Sequence, residues 1–120
     1  MTTHENPEQL SVREVARQLN STLGPTLVAV LTGTPDRTIS HQWARLDGPE
    51  PSPEAQERLR LAHRAWRTVS GAEGEDTARL WFIGENPWLG ETSPIEAVSQ
   101  MRTRDVMVAA TAMVEDTFSG

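Results

Sequence analysis

The histidines and a cluster of acids are the residues of this chain whose types could support catalysis or metal binding. The three histidines are His4, His41 and His63. They lack the spacing of a metal-ligating pair on one helix, and no cysteine, glycine-rich phosphate loop or G-x-S-x-G turn occurs. The crowded acids Glu73, Glu75 and Asp76 stand at a predicted helix start, where they stabilise the positive end of the helix dipole. We expect no enzyme activity, no metal site and no cofactor.

A polar set on one short predicted helix has the chemistry of DNA recognition. The candidate DNA-binding residues are Arg37, Thr38, Ser40, His41, Gln42 and Arg45. Arginine can contact guanine or phosphate, glutamine can contact adenine, and hydroxyl groups can bond to the DNA backbone. Ile39, Trp43 and Leu46 form a narrow apolar stripe on the same predicted helix.

The segment before this helix completes a helix-turn-helix pattern. Residues 25–31 are apolar on most sides, and Gly33-Thr34-Pro35-Asp36 is a turn sequence. In such a motif the second helix enters the major groove while its apolar side packs on the core. The alternative is a small helical bundle that only needs a tight turn here, with Trp43 as a core residue.

Charge is divided unevenly along the chain, whose formal net charge is −6. Residues 1–70 carry eight arginines and eight acids, whereas residues 71–120 carry three arginines and nine acids. An acidic surface binds phosphate poorly and suits a basic protein partner. We therefore place any DNA binding in the first half, although its near-zero charge argues against strong binding by a monomer.

The apolar spacing is helical throughout and strand signals are nearly missing, which predicts an all-α bundle of about six or seven helices. The first helix begins with a capping box at Ser11 and Glu14, after a flexible tail over residues 1–10. The other predicted helices cover about 25–31, 37–45, 53–70 (closed by Ser70-Gly71), some ten residues from near Glu73, a turn capped by Ser93, and about 103–118.

Residues 81–97 are too apolar for a solvated linker and too punctuated for one helix. Trp81 and its neighbours run into breaks at Asn86-Pro87 and Gly90, and Ser93-Pro94-Ile95-Glu96 then starts a helix. This pattern predicts a compact helix-loop-helix with Trp81 in the core. The final helix combines apolar residues with acids, so it forms either the core of the domain or a surface for a protein partner.

Three segments together resemble the Xre/MbcA/ParS antitoxin family over about residues 25–118. They are Leu31–Arg45, Arg58–Trp66, and the run from Trp81 through Asn86-Pro87-Trp88-Leu89-Gly90 to Ser93-Pro94-Ile95-Glu96-Ala97. The family signature is a tryptophan-led helix, an Asn-Pro-x-Leu-x-Gly loop and a short proline-led helix. Trp81, Asn86, Pro87, Leu89, Gly90 and Pro94 match it.

The resemblance implies an Xre-like helix-turn-helix region over residues 11–70 and a helical toxin-binding region over residues 71–120. It implies a regulator that binds double-stranded operator DNA, neutralises a RES-domain toxin that degrades NAD, and forms a homodimer or higher assembly. The partner-binding candidates are Asn86, Pro87, Trp88, Leu89, Asp105, Glu115, Asp116 and Phe118. The alternative is a solitary regulator, for example one encoded by a phage, or a helical protein-interaction module, without a toxin partner.

The sequence has no run of about 18 apolar residues, and its first residues are polar, unlike a secretion signal. The lack of cysteine fits a reducing compartment. We expect one soluble, cytoplasmic domain that does not contact membranes.

Overall fold

A computed structural model describes residues 10–34 and 38–119, with side chains as far as Asp116. These ranges contain seven α-helices, one 3-10 turn at Pro87–Leu89 and no strand. The helices are α1 Val12–Thr22, α2 Pro25–Thr32, α3 Thr38–Trp43, α4 Pro53–Glu73, α5 Glu75–Ile83, α6 Pro94–Ser99 and α7 Thr103–Ser119. The all-α prediction is confirmed.

Three serines start helices where the sequence predicted them. The Oγ atoms of Ser11, Ser52 and Ser93 accept hydrogen bonds from the N–H groups three residues later, at 3.1, 3.1 and 3.3 Å. Each bond satisfies a main-chain donor that has no partner inside its helix. Proline follows the serine in α4 and α6, where its fixed φ suits the first helical turn.

Two predicted helix ends were wrong. α4 continues through Gly71 to Glu73 and ends at Gly74, whose φ is +90°. Glycine inside a helix costs only about 1 kcal/mol relative to alanine, whereas this positive φ strongly favours glycine. α3 ends at Trp43 and not at Arg45, because the N–H groups of Ala44 and Arg45 bond to carbonyls only three residues back.

The long helix α4 lies at the centre and packs against α1, α2, α5, α6 and α7. Trp66 of α4 stacks on Phe82 of α5 at 6.2 Å, and Phe82 meets the edge of Trp81 at 5.0 Å. All three rings are buried in a core cluster that also receives Leu19 from α1 and Val106 from α7. The regions predicted for DNA and for a protein partner therefore rest on a shared core.

Arginine side chains add polar links between distant elements by donating to main-chain carbonyls. Arg79 of α5 bonds to Thr22 at 2.9 Å, and Arg58 of α4 bonds to Ser99 at 2.9 Å. Arg60 of α4 bonds to Leu10 at 2.8 Å. The Thr22 and Ser99 carbonyls lie in the last turns of α1 and α6, so Arg79 and Arg58 replace helix partners that the chain itself does not supply.

None of the helices in the described ranges is long and apolar enough to cross a membrane.

Candidate interaction surfaces

The helix α3 is attached to the core along one side. Trp43 is buried and Ile39 is half-buried on the core. The Asn20 amide of α1 donates to the Ser40 carbonyl at 2.8 Å, and the Arg13 guanidinium reaches the Trp43 carbonyl at 3.5 Å. These contacts fix the position of a helix of six residues, which is too short to be stable by itself.

The outer side of α3 and the turn that follows it carry most of the predicted DNA-binding residues that the structure describes. Thr38, His41, Gln42 and Arg45 are exposed, and we call these four residues the α3 surface. The Arg45 Nε atom lies 3.5 Å from the Asp47 carboxylate in an exposed ion pair. Such a pair is weak in water, so the arginine can exchange its carboxylate partner for a phosphate.

Two of the predicted DNA-binding residues are not part of the α3 surface. Ser40 is only 1% exposed, so its hydroxyl cannot reach a DNA groove while α3 is in place. Arg37 lies outside the described residues.

A small cavity of about 350 Å³ lies between α1 and the segment that follows α3. Val12, Trp43 and Pro51 supply its apolar wall, and Leu46 stands beside it with 91% of its surface exposed. The sequence assigned Leu46 to the apolar stripe of α3, and this prediction was wrong because the helix ends before it.

The loop between α5 and α6 is organised by its own side chains. The Asn86 Oδ1 atom accepts a hydrogen bond from the Trp88 N–H at 2.9 Å and caps the 3-10 turn. Leu89 is buried, and Gly90 ends the turn with a φ of +66°. The Leu89 carbonyl accepts a bond from Arg102 at 3.3 Å.

This loop geometry corrects two of the predicted partner contacts. Asn86 and Leu89 are buried, so their side chains hold the loop and are not available to a partner. Pro87 is exposed, and the Trp88 ring is 59% exposed. The loop therefore presents a tryptophan outward while leucine holds the same turn on the core.

A groove of about 580 Å³ runs along α7 between the Trp88 turn and α4. Trp88, Met107, Val108 and Ala112 supply its apolar surface, and Val108 is 45% exposed. Its remaining lining residues are Arg64, Thr103, Arg104, Thr111, Glu115 and Asp116. We call the part contributed by residues 103–116 the α7 surface.

The charges of this groove are separated along α7. Arg104 lies on the first turn, whereas Glu115 and Asp116 lie about 16–18 Å further along the helix, at 1.5 Å per residue. Asp105 is exposed and pairs with Arg102 at 3.2 Å, but it does not line the groove. The side chain of Phe118, the last of the predicted partner contacts, lies outside the described side chains.

The sequence offered no reason to assign a function to His63 and did not indicate its environment. It is buried on α4, and its Nε2 atom lies 2.8 Å from the Gln18 Oε1 atom of α1. Burial lowers the pKa of His63, and the nearby Arg67 and Arg60 lower it further. Within the described residues no group of three potential metal ligands comes together.

The sequence analysis missed the groove itself. Arg64 and Trp88 lie 24 positions apart in the sequence, and neither is adjacent to α7. One sequence feature could have indicated this groove. Val108 is apolar but falls outside the stripe of Val106, Ala109 and Ala110, so it must lie on a different side of the helix, and it is exposed. Comparisons with protein-family models, with curated proteins and with solved structures found no match for this chain.

Proposed function

We propose that this chain is an antitoxin-like DNA-binding regulator. The α3 surface contacts operator DNA, and the C-terminal helices bind and neutralise a RES-type toxin. The observation that carries this proposal is the groove: an exposed tryptophan beside an apolar helix face, in the half of the chain that holds the whole net negative charge. Large exposed aromatic side chains are frequent anchors of protein interfaces.

Support for DNA binding comes from the separation of the two sides of α3. Its apolar side and its main chain are held by the core, by Asn20 and by Arg13, while Thr38, His41, Gln42 and Arg45 are exposed. A recognition helix needs this division, because the groove is read by side chains whose backbone does not move. The net charge of residues 1–70 is near zero, so operator affinity requires two copies of the chain.

Operator binding is tested by electrophoretic mobility shift with the DNA upstream of the gene. We expect specific binding that weakens steeply between about 50 and 200 mM salt. Arg45→Ala should reduce it, whereas Arg17→Ala is the matched control, because Arg17 is also exposed and also paired with an acid, Glu14. Equal effects of the two changes would contradict a specific role for the α3 surface.

Toxin neutralisation is tested by co-expression with a RES-type open reading frame from the same locus. Trp88→Ala should abolish growth rescue while leaving the fold intact. Leu46→Ala is the matched control, since Leu46 is also highly exposed but does not line the groove. Rescue retained by Trp88→Ala would place the toxin elsewhere.

A chain truncated after Met113 provides a second test. It keeps Val106, Ala109 and Ala110, which supply the buried side of α7, and it removes Glu115 and Asp116. We expect DNA binding to persist and neutralisation to be lost. Retained neutralisation would count against the end of α7 as part of the partner site.

The second candidate function is a helical interaction module, or a solitary regulator, without a toxin partner. Two observations favour a module that has lost DNA binding: α3 has six residues, and Ser40 is withdrawn into the core. In that case the upstream DNA shows no mobility shift even at about 50 mM salt, and Arg45→Ala does not change its mobility.

A further inference from the structure

The turn that follows α3 departs from what its own sequence favours. Residues 44–46 are alanine, arginine and leucine, all good helix formers, and Gly48-Pro49 is a sequence that commonly ends a helix. Local preference alone therefore continues α3 for one more turn, to Asp47. In the structure α3 ends at Trp43, and the N–H groups of the next two residues bond to carbonyls three positions back. Such a conflict marks a segment with two accessible conformations.

Leu46 has the exposure of a side chain that lacks its packing site. It is 91% exposed, more than any other large apolar residue in the described ranges. Beside it lies the cavity of about 350 Å³ whose apolar wall is formed by Val12, Trp43 and Pro51. On a continuous α-helix Leu46 shares one side with Ile39 and Trp43, at i, i+4 and i+7. Because Trp43 lies both on that side and in the cavity wall, one added turn of helix directs Leu46 into the cavity.

Position 48 limits which conformation the turn adopts. A Cβ atom on Gly48 would lie 1.9 Å from the Gln42 carbonyl oxygen, too close for any side chain. In the observed turn that oxygen accepts a bond from the Arg45 N–H at 3.2 Å, whereas in a continued helix it accepts one from the Leu46 N–H. Continuing the helix also moves residue 48 about 9 Å along the axis from residue 42, at 1.5 Å per residue. The observed turn thus requires glycine at position 48, and the close contact is absent from the extended helix.

We propose that residues 44–47 form a two-state switch, in which α3 extends by one helical turn and Leu46 closes into the cavity beside Trp43. The observed structure is the open state, with Leu46 exposed. The closed state removes an apolar side chain from water and replaces turn hydrogen bonds with helical ones. The opposing cost is the conformational entropy lost by ordering one more turn of helix and one leucine side chain.

The closed state changes what α3 presents to DNA. In the open state Arg45 lies beyond the end of the helix and pairs with Asp47. Residues two positions apart do not face each other on a helix, so the extension separates this pair and frees the guanidinium group. Arg45 then shares a helical side with His41 and Gln42, which lie four and three positions before it. This step rests on the proposed function: DNA that contacts the freed arginine selects the closed state.

The switch itself is tested without DNA by NMR of the full chain. Gly48→Ala should move the Cα chemical shifts of residues 44–47 toward helical values, because the open turn has no room for a Cβ atom. Gly71→Ala is the matched control, since a Cβ atom there meets nothing within 4 Å and lies in α4. Adding Leu46→Asn to Gly48→Ala should abolish the helical shifts, because an amide without partners is disfavoured in an apolar cavity. Adding Leu80→Asn, which changes an exposed leucine of α5, should not.

Relaxation dispersion on the natural chain provides a second measurement, which does not depend on the folding of Gly48→Ala. We expect exchange on the microsecond-to-millisecond timescale at residues 44–48, and its loss in Leu46→Asn but not in Leu80→Asn. Absence of this exchange together with unchanged chemical shifts in Gly48→Ala overturns the switch. If Gly48→Ala fails to fold, the exchange measurement alone decides. Helical shifts that persist after Leu46→Asn would also overturn it, because the extension would then not depend on filling the cavity.

The link to DNA is tested by mobility shift with the DNA upstream of the gene. Gly48→Ala should tighten binding about threefold or more, because it raises the population of the binding-competent state. Leu46→Asn should weaken binding, whereas Leu80→Asn should not. Equal affinities of these two variants would overturn the link. A switch seen by NMR in a chain that binds no DNA contradicts the proposed function alone, and specific DNA binding without exchange contradicts the switch alone.

Discussion

The α3 surface and the α7 surface differ in what they expose, although they rest on one core. α3 has six residues and shows polar side chains outward, whereas α7 has 17 residues and exposes Val108 beside the ring of Trp88. Polar, solvated side chains suit contacts with phosphate and base edges, and an apolar strip with charged ends suits a polypeptide. One core thus carries two surfaces of different chemistry on different helices.

The way each surface is held also differs. α3 depends on neighbours, because Asn20 and Arg13 bond to its main chain and Trp43 attaches it to the core. α7 is long, and its buried residues Val106, Ala109 and Ala110 pack directly on the central bundle. Local opening of the folded protein should therefore expose the amide groups of α3 more often than those of α7.

The largest expected effect is that of Trp81→Ala, which tests whether the two surfaces share one core. Removing this buried ring beside Phe82 should lower the free energy of unfolding by about 3–5 kcal/mol. We expect one cooperative transition in chemical denaturation, with both surfaces lost together.

Trp88→Ala is the control for this prediction, because the same residue type is exposed there and its loss should change stability by about 0.5 kcal/mol or less. Two separate transitions in Trp81→Ala would show that the surfaces belong to independent folding units.

A smaller effect is expected for Ser93→Ala at the start of α6, the helix that contacts both α2 and α7. Loss of the hydrogen bond from the Glu96 N–H should cost about 1 kcal/mol in thermal or urea unfolding. Thr92→Ala, one position earlier, is the control. If hydrogen exchange showed that Ser93→Ala destabilises only the amide groups of α7 and its neighbours, the two surfaces would be less dependent on a shared core than we propose.

The pH dependence of stability tests the contact between α1 and α4 near the α3 side of the molecule. The folded pKa of His63 is lowered, so the unfolded chain binds more protons at pH values between the folded pKa and about 6.5. The contribution of this group is therefore complete above about pH 6.5 and is lost as the pH falls below that value.

His63→Gln should reduce this slope in urea unfolding measured from about pH 7.5 to pH 5.5. His41→Gln, which changes an exposed histidine on α3, is the control. If His63→Gln leaves the slope unchanged, the imidazole is not the group that titrates. The lowered pKa of Glu14, caused by hydrogen bonds from Arg17 and Gln18, acts at a lower pH, below about 4.5.

The smallest effect on stability is expected for Asp47→Ala, which removes the acid beside Arg45. The exposed ion pair contributes little, so the free energy of unfolding should change by less than about 0.5 kcal/mol. DNA affinity in the mobility shift should rise about two- to fivefold, because Arg45 loses a competing carboxylate and the surface loses a negative charge. If the DNA affinity of Asp47→Ala is unchanged, Arg45 does not contact the DNA.

The helix starts that a serine caps were predicted accurately because their determinants are local, whereas Glu73, predicted near the start of α5, is the last residue of α4. Ser11, Ser52 and Ser93 each cap the helix that follows, and the apolar stripe of α1 faces the core as its spacing indicates. Helix ends were predicted less well. Either Gly71 or Gly74 could end α4 as far as the sequence shows. Only the packing of α4 and α5 decides that Gly74 adopts the positive φ.

The candidate sites were predicted only in part, since exposure depends on neighbours that are remote in the sequence. Ser40 and Asn86 have polar side chains, yet the first is buried and the Pro87–Leu89 turn uses the second as its cap. Arg58 and Arg60 of α4 both donate to carbonyls of other segments, which no local sequence pattern indicates.

The sequence by itself determined the all-α class, the helix starts at the three serine caps, the burial of Trp81 and the acidic character of the second half. These follow from caps, periodicity and residue types, which act within a few positions of the chain. Tertiary structure alone decided which polar residues remain exposed and that Arg64, Trp88 and α7 meet in one groove. The reason is that burial and shape arise from contacts between helices, and such contacts join residues that no local pattern connects.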